Sequence, residues 1–529
     1  MKKSNSMMAG AGILALTGII AKILSALYRI PLQNMVGNTG FYVYQQVYPI
    51  YGIGMVFALS GWPLFVSKVV SEQPDEEHAK FVVRRIGWLL VIISLIIFGA
   101  LFFGASGLAV IMGGNVQLQP VIQSVSWMFL LMPILTITRG YSQGQLNMLP
   151  TSISQIVEQV VRVAIIVFFA AWAVEHNWSI YQMGTWTMAG APIAAVVASI
   201  LLLKQYRSIM TGDLGLIAKE QRPEFAWRHL LRRLLNEGGI VAMLAAMLVF
   251  FQLMDSVSLK NLLVAGGMGN ALAEATKGVY DRGQPLVQLG MVVATSIGTA
   301  LLPNLRGYVI TKKFKDFKRD FSISVRISSV LAVSLTGGMI AVMPQLNQML
   351  FGSRQGDLAL MIYALAIIPA TMIMVLAAAL QSLDRTKGLM TIIFASMLLK
   401  FGLNWLLVPA FGIVGASWAT IIGLLPIFGF VIYKIPRVFW QNLGLGVLEL
   451  KVAGITLLMM ASAFVAGHFG DFIFGVSRGA SSLTLVGAII VGAIVFVALL
   501  HVTKLLNQDE WAVFPKGDRL YQLLNEKRK

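Results

Sequence analysis

Fourteen runs of about twenty predominantly apolar residues follow one another along this chain, and that is the length a helix needs to cross a hydrocarbon layer roughly 30 Å thick. They occupy 7–31, 41–66, 85–106, 119–138, 152–174, 182–203, 236–260, 282–305, 323–345, 357–381, 388–409, 412–433, 450–469 and 480–503, numbered here as spans 1 to 14. The runs are apolar all round. Membrane strands would alternate polar and apolar residues in pieces of about ten, so a barrel is excluded. Of the 529 residues 57% are hydrophobic and 12% charged, a balance that also excludes an ordinary soluble enzyme.

The net charge of +18 sits between the spans, where orientation rules explain it better than nucleic acid does. With the N-terminus inside, the inner segments hold 32 of the 41 Lys and Arg residues and the outer segments five. Lys22, Arg29, Arg162 and Lys400 fall within spans. Both termini are therefore expected on the cytoplasmic side. A cleaved leader is the alternative for the first run, but Lys22 and Arg29 follow too closely and the chain runs straight into span 2. There is no cysteine, and the five histidines show no ligand spacing, so no metal or cofactor is expected.

An internal repeat organises the spans. Gly54-Met55-Val56-Phe57-Ala58-Leu59-Ser60 resembles Gly290-Met291-Val292-Val293-Ala294-Thr295-Ser296, and Gln143 and Arg162 match Gln381 and Lys400 at nearly the same offset. The shift is six helices, an even number, so the halves share orientation. The expected fold is all-α, with 14 transmembrane helices: two parallel-repeat six-helix lobes around a central cavity, plus two C-terminal helices. The lobes are 1–204 and 236–434. A basic cytoplasmic linker covers 205–235, with 222–235 an amphipathic surface helix. Spans 13–14 lie in 435–504, and an interfacial tail follows at 505–529.

Ionisable groups inside a membrane are costly and mark pathways. Lys22 and Arg29, seven apart, share a face of span 1. They either snorkel to headgroups or pair with a carboxylate, or they line a site for an anionic headgroup. In span 5, Gln155, Glu158 and Arg162 form one polar stripe. The spacing of Glu158 and Arg162 permits a structural pair within the helix, or a gate whose pairing changes. Lys400 and Asn404 repeat this weakly in span 11. Asp255 in span 7 is a candidate cation or proton site, or a counter-charge for Lys22 or Arg29. Arg282 opens span 8 at the outer boundary, as a site residue or simply solvated. Span 2 begins Phe41-Tyr42-Val43-Tyr44-Gln45-Gln46-Val47-Tyr48-Pro49-Ile50-Tyr51, either an aromatic belt or a surface for sugar, with Tyr44, Gln45 and Tyr48 the candidate contacts. No phosphate-binding G-x-x-x-x-G-K-[ST] loop is present, so any driving force is expected from the membrane potential, Na+ or H+.

Several of these stretches are familiar. Tyr28-Arg29-Ile30-Pro31-Leu32 with Tyr44-Gln45 and Tyr48-Pro49-Ile50-Tyr51 resembles the opening of the sporulation protein V B / YtgP group. So do Arg139-Gly140-Tyr141-Ser142-Gln143-Gly144, Ser154-Gln155-Ile156-Val157-Glu158 through Arg162, and Arg282-Gly283-Gln284-Pro285-Leu286-Val287-Gln288. These are polysaccharide-biosynthesis transporters of the multidrug/oligosaccharidyl-lipid/polysaccharide superfamily, similar to MurJ-type lipid II flippases. The resemblance implies a multi-pass protein of the bacterial cytoplasmic membrane that exports an undecaprenyl-pyrophosphate-linked peptidoglycan precursor by alternating access. It implies headgroup roles for Lys22, Arg29 and Arg282, and a groove for the lipid tail on spans 13 and 14. This chain departs from the pattern in having no basic residue between Phe41 and Val66. Lipid II is the expected cargo. Membrane lipids and the cell-wall synthesis machinery are the expected partners, with no nucleic acid. A flippase for another lipid-linked oligosaccharide, a cation-coupled multidrug antiporter and a membrane enzyme are the alternatives. The antiporter would favour an acidic cavity, and the enzyme would need larger outer loops.

Overall fold

The computed structural model describes residues 16–211, 227–298, 301–441, 445–513 and 517, and among these the chain is helical with no strand. Eleven helical segments are long and apolar enough to cross a membrane. Two are too long for a single crossing: Leu16–Ser71 has 56 residues and Leu389–Lys434 has 46. Each is broken at a glycine with positive φ, Gly37 at 68° and Gly412 at 56°. The chain reverses at both. In a straight helix Tyr28 and Tyr44 would lie about 24 Å apart, yet their hydroxyls are 2.7 Å apart across Gly37. Likewise Lys400 Nζ donates to Thr420 Oγ1 at 2.5 Å across Gly412. These two hairpins are spans 1–2 and 11–12. Expected span 8 includes residues 299–300, outside the described set, so the total of 14 stays an expectation.

The surface is inverted relative to a soluble protein, with large apolar side chains such as Ile96, Phe103, Leu406 and Phe472 exposed in rows along the helices. A hydrocarbon layer is the environment that makes this stable, so the protein is a multi-pass membrane protein.

The chain forms two compact units, Met1–Gly278 and Val279–Lys529. In the first, span 7 packs along span 2. Gln46 Nε2 donates to the Ser256 carbonyl at 2.5 Å near one end of the pair. At the other end Gly61 crosses Gly238 and Ala242 so closely that a Cβ on Gly61 would lie 2.4 Å from that of Ala242. An alternating ion-pair set surrounds this crossing: Lys68–Glu237 at 2.7 Å, Arg233–Glu237 at 2.8 Å and Arg233–Glu72 at 3.0 Å. Span 2 is not a regular helix. It contains Pro49 and a π-helical turn at Phe57–Gly61, irregularities that give a helix local freedom. Span 7 is broken at Ala246.

In the second unit the helices Leu445–Phe474 and Arg478–Thr503 form a hairpin, spans 13–14. Near the turn of the hairpin Asp471 accepts from Arg354 at 2.7 Å and from Gln345 at 2.8 Å. The amphipathic linker helix is seen as Trp227–Arg233, with Leu230 and Leu234 buried; its expected start at 222 lies outside the described residues. Leu505 and Leu506 are buried, and Arg326 pairs with Glu510, so this part of the tail packs on the protein. Phe514, Leu520, Tyr521 and Leu524 lie outside the described residues.

Candidate functional site

The Gly37 reversal folds span 1 against span 2 and brings one face of each together. On span 2, Tyr44, Tyr48 and Tyr51 are spaced i, i+4 and i+7 and so line one helical stripe. Their rings run in sequence, 6.3 Å and 5.6 Å between successive centroids, and Tyr28 of span 1 meets Tyr44 edge-on. Two buried arginines stack on these rings. Arg29 lies 4.0 Å above the Tyr48 ring. Arg162, from span 5, lies 4.4 Å from the Tyr51 ring and 5.2 Å from that of Tyr28. Arg162 Nη2 also donates to Gln159 Oε1 at 2.6 Å and to Ser25 Oγ at 3.2 Å.

Both guanidiniums retain unused donors. Nε and Nη1 of Arg29, and Nε and Nη1 of Arg162, have no hydrogen-bond partner among the described residues. Nor does a carboxylate lie within ion-pair distance of either among those residues. The rings supply electron density to a cation but accept no strong hydrogen bond. This is a pair of buried positive charges with N–H groups to spare, the donor set that suits phosphate oxygens.

The Glu158–Arg162 pair that the spacing permits does not form. Glu158 instead accepts from Arg139, in the helix Met132–Gly144 that runs on past the expected end of span 4, at 2.6 Å, both groups buried, with Ser154 Oγ accepting from Arg139 Nε at 3.1 Å. Arg139, counted in sequence as an inner-loop charge, is thus inside the protein. Gln155 on the same stripe is half-buried.

Lys22 is exposed, unlike Arg29 on the same helix, and does not join the cluster. Gln45 is buried beside the tyrosine stripe. Asp255 is buried on span 7, next to the Ser256 carbonyl that receives Gln46. The reading of Arg282 as simply solvated is overturned: it is 1% exposed, its Nη1 donates to Asn347 Oδ1 at 3.2 Å, and it lies 5.2 Å from the Phe351 ring. Lys260 and Lys277, assigned to outer segments, are likewise buried; Lys260 donates to the Gly113 carbonyl at 2.7 Å, and Lys277 lies 5.6 Å from the Tyr42 ring. Lys400 and Asn404 are buried in the second unit, with Tyr280 OH 3.4 Å from the same Thr420 hydroxyl that holds Lys400.

Tyr28, Tyr51, Ser25, Gln159 and Arg139 belong to these clusters and were not among the expected site residues. The i, i+4, i+7 spacing of the span 2 tyrosines was the available signal for Tyr51. No spacing within span 5 points to Arg139.

The site is a buried cationic, ring-lined cluster inside a bundle of apolar helices, and the comparisons with known proteins place the chain in a family. The model of the polysaccharide biosynthesis protein family matches residues 7–309. The chain belongs to that family. It is 33% identical to the uncharacterized membrane protein YabM of Bacillus subtilis over 98% of this chain and 96% of that one. It is 24% identical to the lipid II flippase MurJ of the same organism (82% and 83% covered), and 22% identical to its stage V sporulation protein B (97% and 98% covered). Among solved structures, lipid II flippase MurJ in an inward closed conformation matches with a TM-score of 0.66 at 12% identity, covering 94% of this chain and 98% of that one. An inward-facing multidrug resistance MATE transporter of the MOP superfamily matches at 0.61 and 12%, with 80% and 96% covered. The fold is therefore the one these transporters share.

Proposed function

We propose that the protein is a flippase that carries an undecaprenyl-pyrophosphate-linked cell-wall precursor, lipid II foremost, across the cytoplasmic membrane by alternating access. The observation that carries this reading is the pair Arg29 and Arg162, buried with spare N–H donors and without a carboxylate at ion-pair distance among the described residues. Taking a pyrophosphate out of water without partners costs several kcal/mol per charge, and two guanidinium forks supply those partners. A cationic drug would require the opposite charge. The antiporter reading therefore finds no support at this cluster, while another lipid-linked oligosaccharide remains the alternative cargo.

A headgroup entering from the inner side meets exposed Lys22 first and Arg29 about 10 Å farther along span 1. The rings cover the arginines in this conformation. Binding requires the tyrosine stripe to move off them, and Pro49 and the π-turn at Phe57–Gly61 are where span 2 can yield. The tyrosine rings and hydroxyls and Gln45 then offer faces and donors to the attached sugar. Arg282 and Lys400, each buried in the second unit, are assigned to that unit's response, with Asp255 and the Glu158 stripe as coupling groups. The driving force is the membrane potential or a Na+ or H+ gradient. Both termini face the cytoplasm, and cell-wall synthesis proteins are the partners.

The test is accessibility of lipid II to an external probe in cells relying on this protein alone, with expression verified. Arg29→Ala and Arg162→Ala should each lower externalisation at least tenfold. Arg29→Lys should keep part of it, because charge survives while the planar fork is lost. Normal externalisation by the Arg29→Ala/Arg162→Ala double variant overturns the reading.

A further inference from the structure

The opposite face of span 2 borders a different space. Tyr44, Tyr48 and Tyr51 look toward the arginines, whereas Ile50, Ile53 and Phe57 line a cavity of about 440 Å³ in the first unit. Phe129 and Met132 of span 4 and Leu253 of span 7 form its other walls. Every side chain that lines it is apolar except for the indole nitrogen of Trp62, whose ring packs edge-on against Phe57 at 4.9 Å.

The space is open along one side rather than sealed, so whatever medium surrounds the helices reaches it. Water does not settle a space without polar partners. A cavity of this size and lining calls for a hydrocarbon filling. The scale is set by a dry cavity of about 150 Å³ that takes up benzene; three times that volume admits about eighteen carbons of chain. The supply lies next to it. On the side of span 3 and the short helix Ala105–Ile111, the lining residues Ile97, Leu101 and Ile111 continue into a lipid-facing surface that includes Ile96, Phe103 and Val110, all exposed.

We infer that this cavity is a lipid-chain site that takes one acyl chain of a bilayer phospholipid, entering between span 3 and the helix Ala105–Ile111. A transported lipid whose head lies at Arg29 has its chain on the other side of span 2, so the occupant is a bulk phospholipid and not the cargo. The filling rests on both irregular helices, beside the π-turn of span 2 and the part of span 7 just beyond its break at Ala246. It props apart the two helices that meet at the Gly61 crossing, and so ties movement of the tyrosine stripe to the bilayer.

The experiment uses the full-length protein in nanodiscs of phosphatidylglycerol doped with a phosphatidylglycerol carrying a diazirine on its acyl chain. A second sample carries a diazirine-bearing polyprenyl phosphate instead. Photolabelled peptides are mapped by mass spectrometry. The acyl probe should label residues 129–132 and 253–257 in the native protein. Leu253→Trp, which fills the space, should lower that labelling at least fivefold and leave labelling around Ile96 and Phe103 unchanged. Leu253→Ala, which enlarges the space, should keep or raise it, and this variant decides the matter if the tryptophan variant does not fold. Absence of label at 129–132 and 253–257, equal labelling in the Leu253→Trp variant, loss of labelling in Leu253→Ala, or labelling there by the polyprenyl probe alone would each overturn the proposal.

Discussion

Glu158 has one arginine four residues ahead of it and another nineteen behind, and it bonds the distant one. Neighbours at i, i+4 meet on a bare helix surface, but side-chain direction and the next helix decide once the face is buried. The pairing fixes the outcome of mutation. Arg139→Met and Glu158→Gln should each lower stability by about 3–5 kcal/mol, because each leaves its partner buried alone. The double variant should recover most of that loss in thermal unfolding in detergent micelles. Arg162→Gln should gain nothing from Glu158→Gln. At the same scale, Tyr48→Phe keeps the ring under Arg29 and should leave thermal stability nearly unchanged, whereas Tyr48→Leu forfeits a contact of about 0.5–2 kcal/mol. The site was legible in sequence as residue types in the wrong solvent, since Arg29, Arg162, Tyr44 and Tyr48 all drew notice there. The grouping was not legible. It depends on the Gly37 reversal bringing residue 28 to residue 44, and on span 5 leaning its Arg162 edge onto both, and no periodicity within one helix encodes that.

Helices were easier to read than their defects. Apolar runs mark where a chain can lie in a bilayer, and the span 5 run 152–174 lies within the observed helix Leu149–Glu175. The π-turn at Phe57–Gly61 has a local signal in Ser60-Gly61 and in Pro63 just after it, whereas the break at Ala246 has none. Gly37 shows what one position can control. Its φ is 68°, and a Cβ there would meet nothing within 4 Å. With ψ at −174° this is backbone that essentially only glycine adopts, so the penalty for Gly37→Ala is purely conformational, about 1–3 kcal/mol, and Gly37→Asn should cost as much. Gly61 is the reverse case, with ordinary backbone and no room. Gly61→Ala should cost about 1–3 kcal/mol by forcing spans 2 and 7 apart, and it should loosen the Lys68–Glu237 end of the crossing. Protease sensitivity near residue 72 reports that loosening.

For the whole molecule, charge asymmetry sets a topology that can be checked directly, since the chain has no cysteine of its own. Single cysteines at Asn177 and Gly267, both exposed, should react with an impermeant thiol reagent from outside; those at Asp75 and Lys315, also exposed, should not. Reaction at Lys315 in intact cells would reverse the assignment. The asymmetry itself survives the burial of Arg139, Lys260 and Lys277, because the exposed cations still gather on the inner segments. Family and all-helical membrane fold were legible because motifs and apolar runs are one-dimensional. The extent of each compact unit was not, since it follows which helix packs on which, and span 7 follows span 2. The two glycine reversals have a consequence for biogenesis. With only a short turn between their helices, spans 1 and 2 follow each other closely out of the ribosome, as do spans 11 and 12. A nascent chain holding span 1 alone would present Arg29 to lipid with no ring beneath it. The insertion machinery must therefore accept each pair as a single unit, and Tyr48 is already at hand to shelter the arginine when the pair enters the membrane.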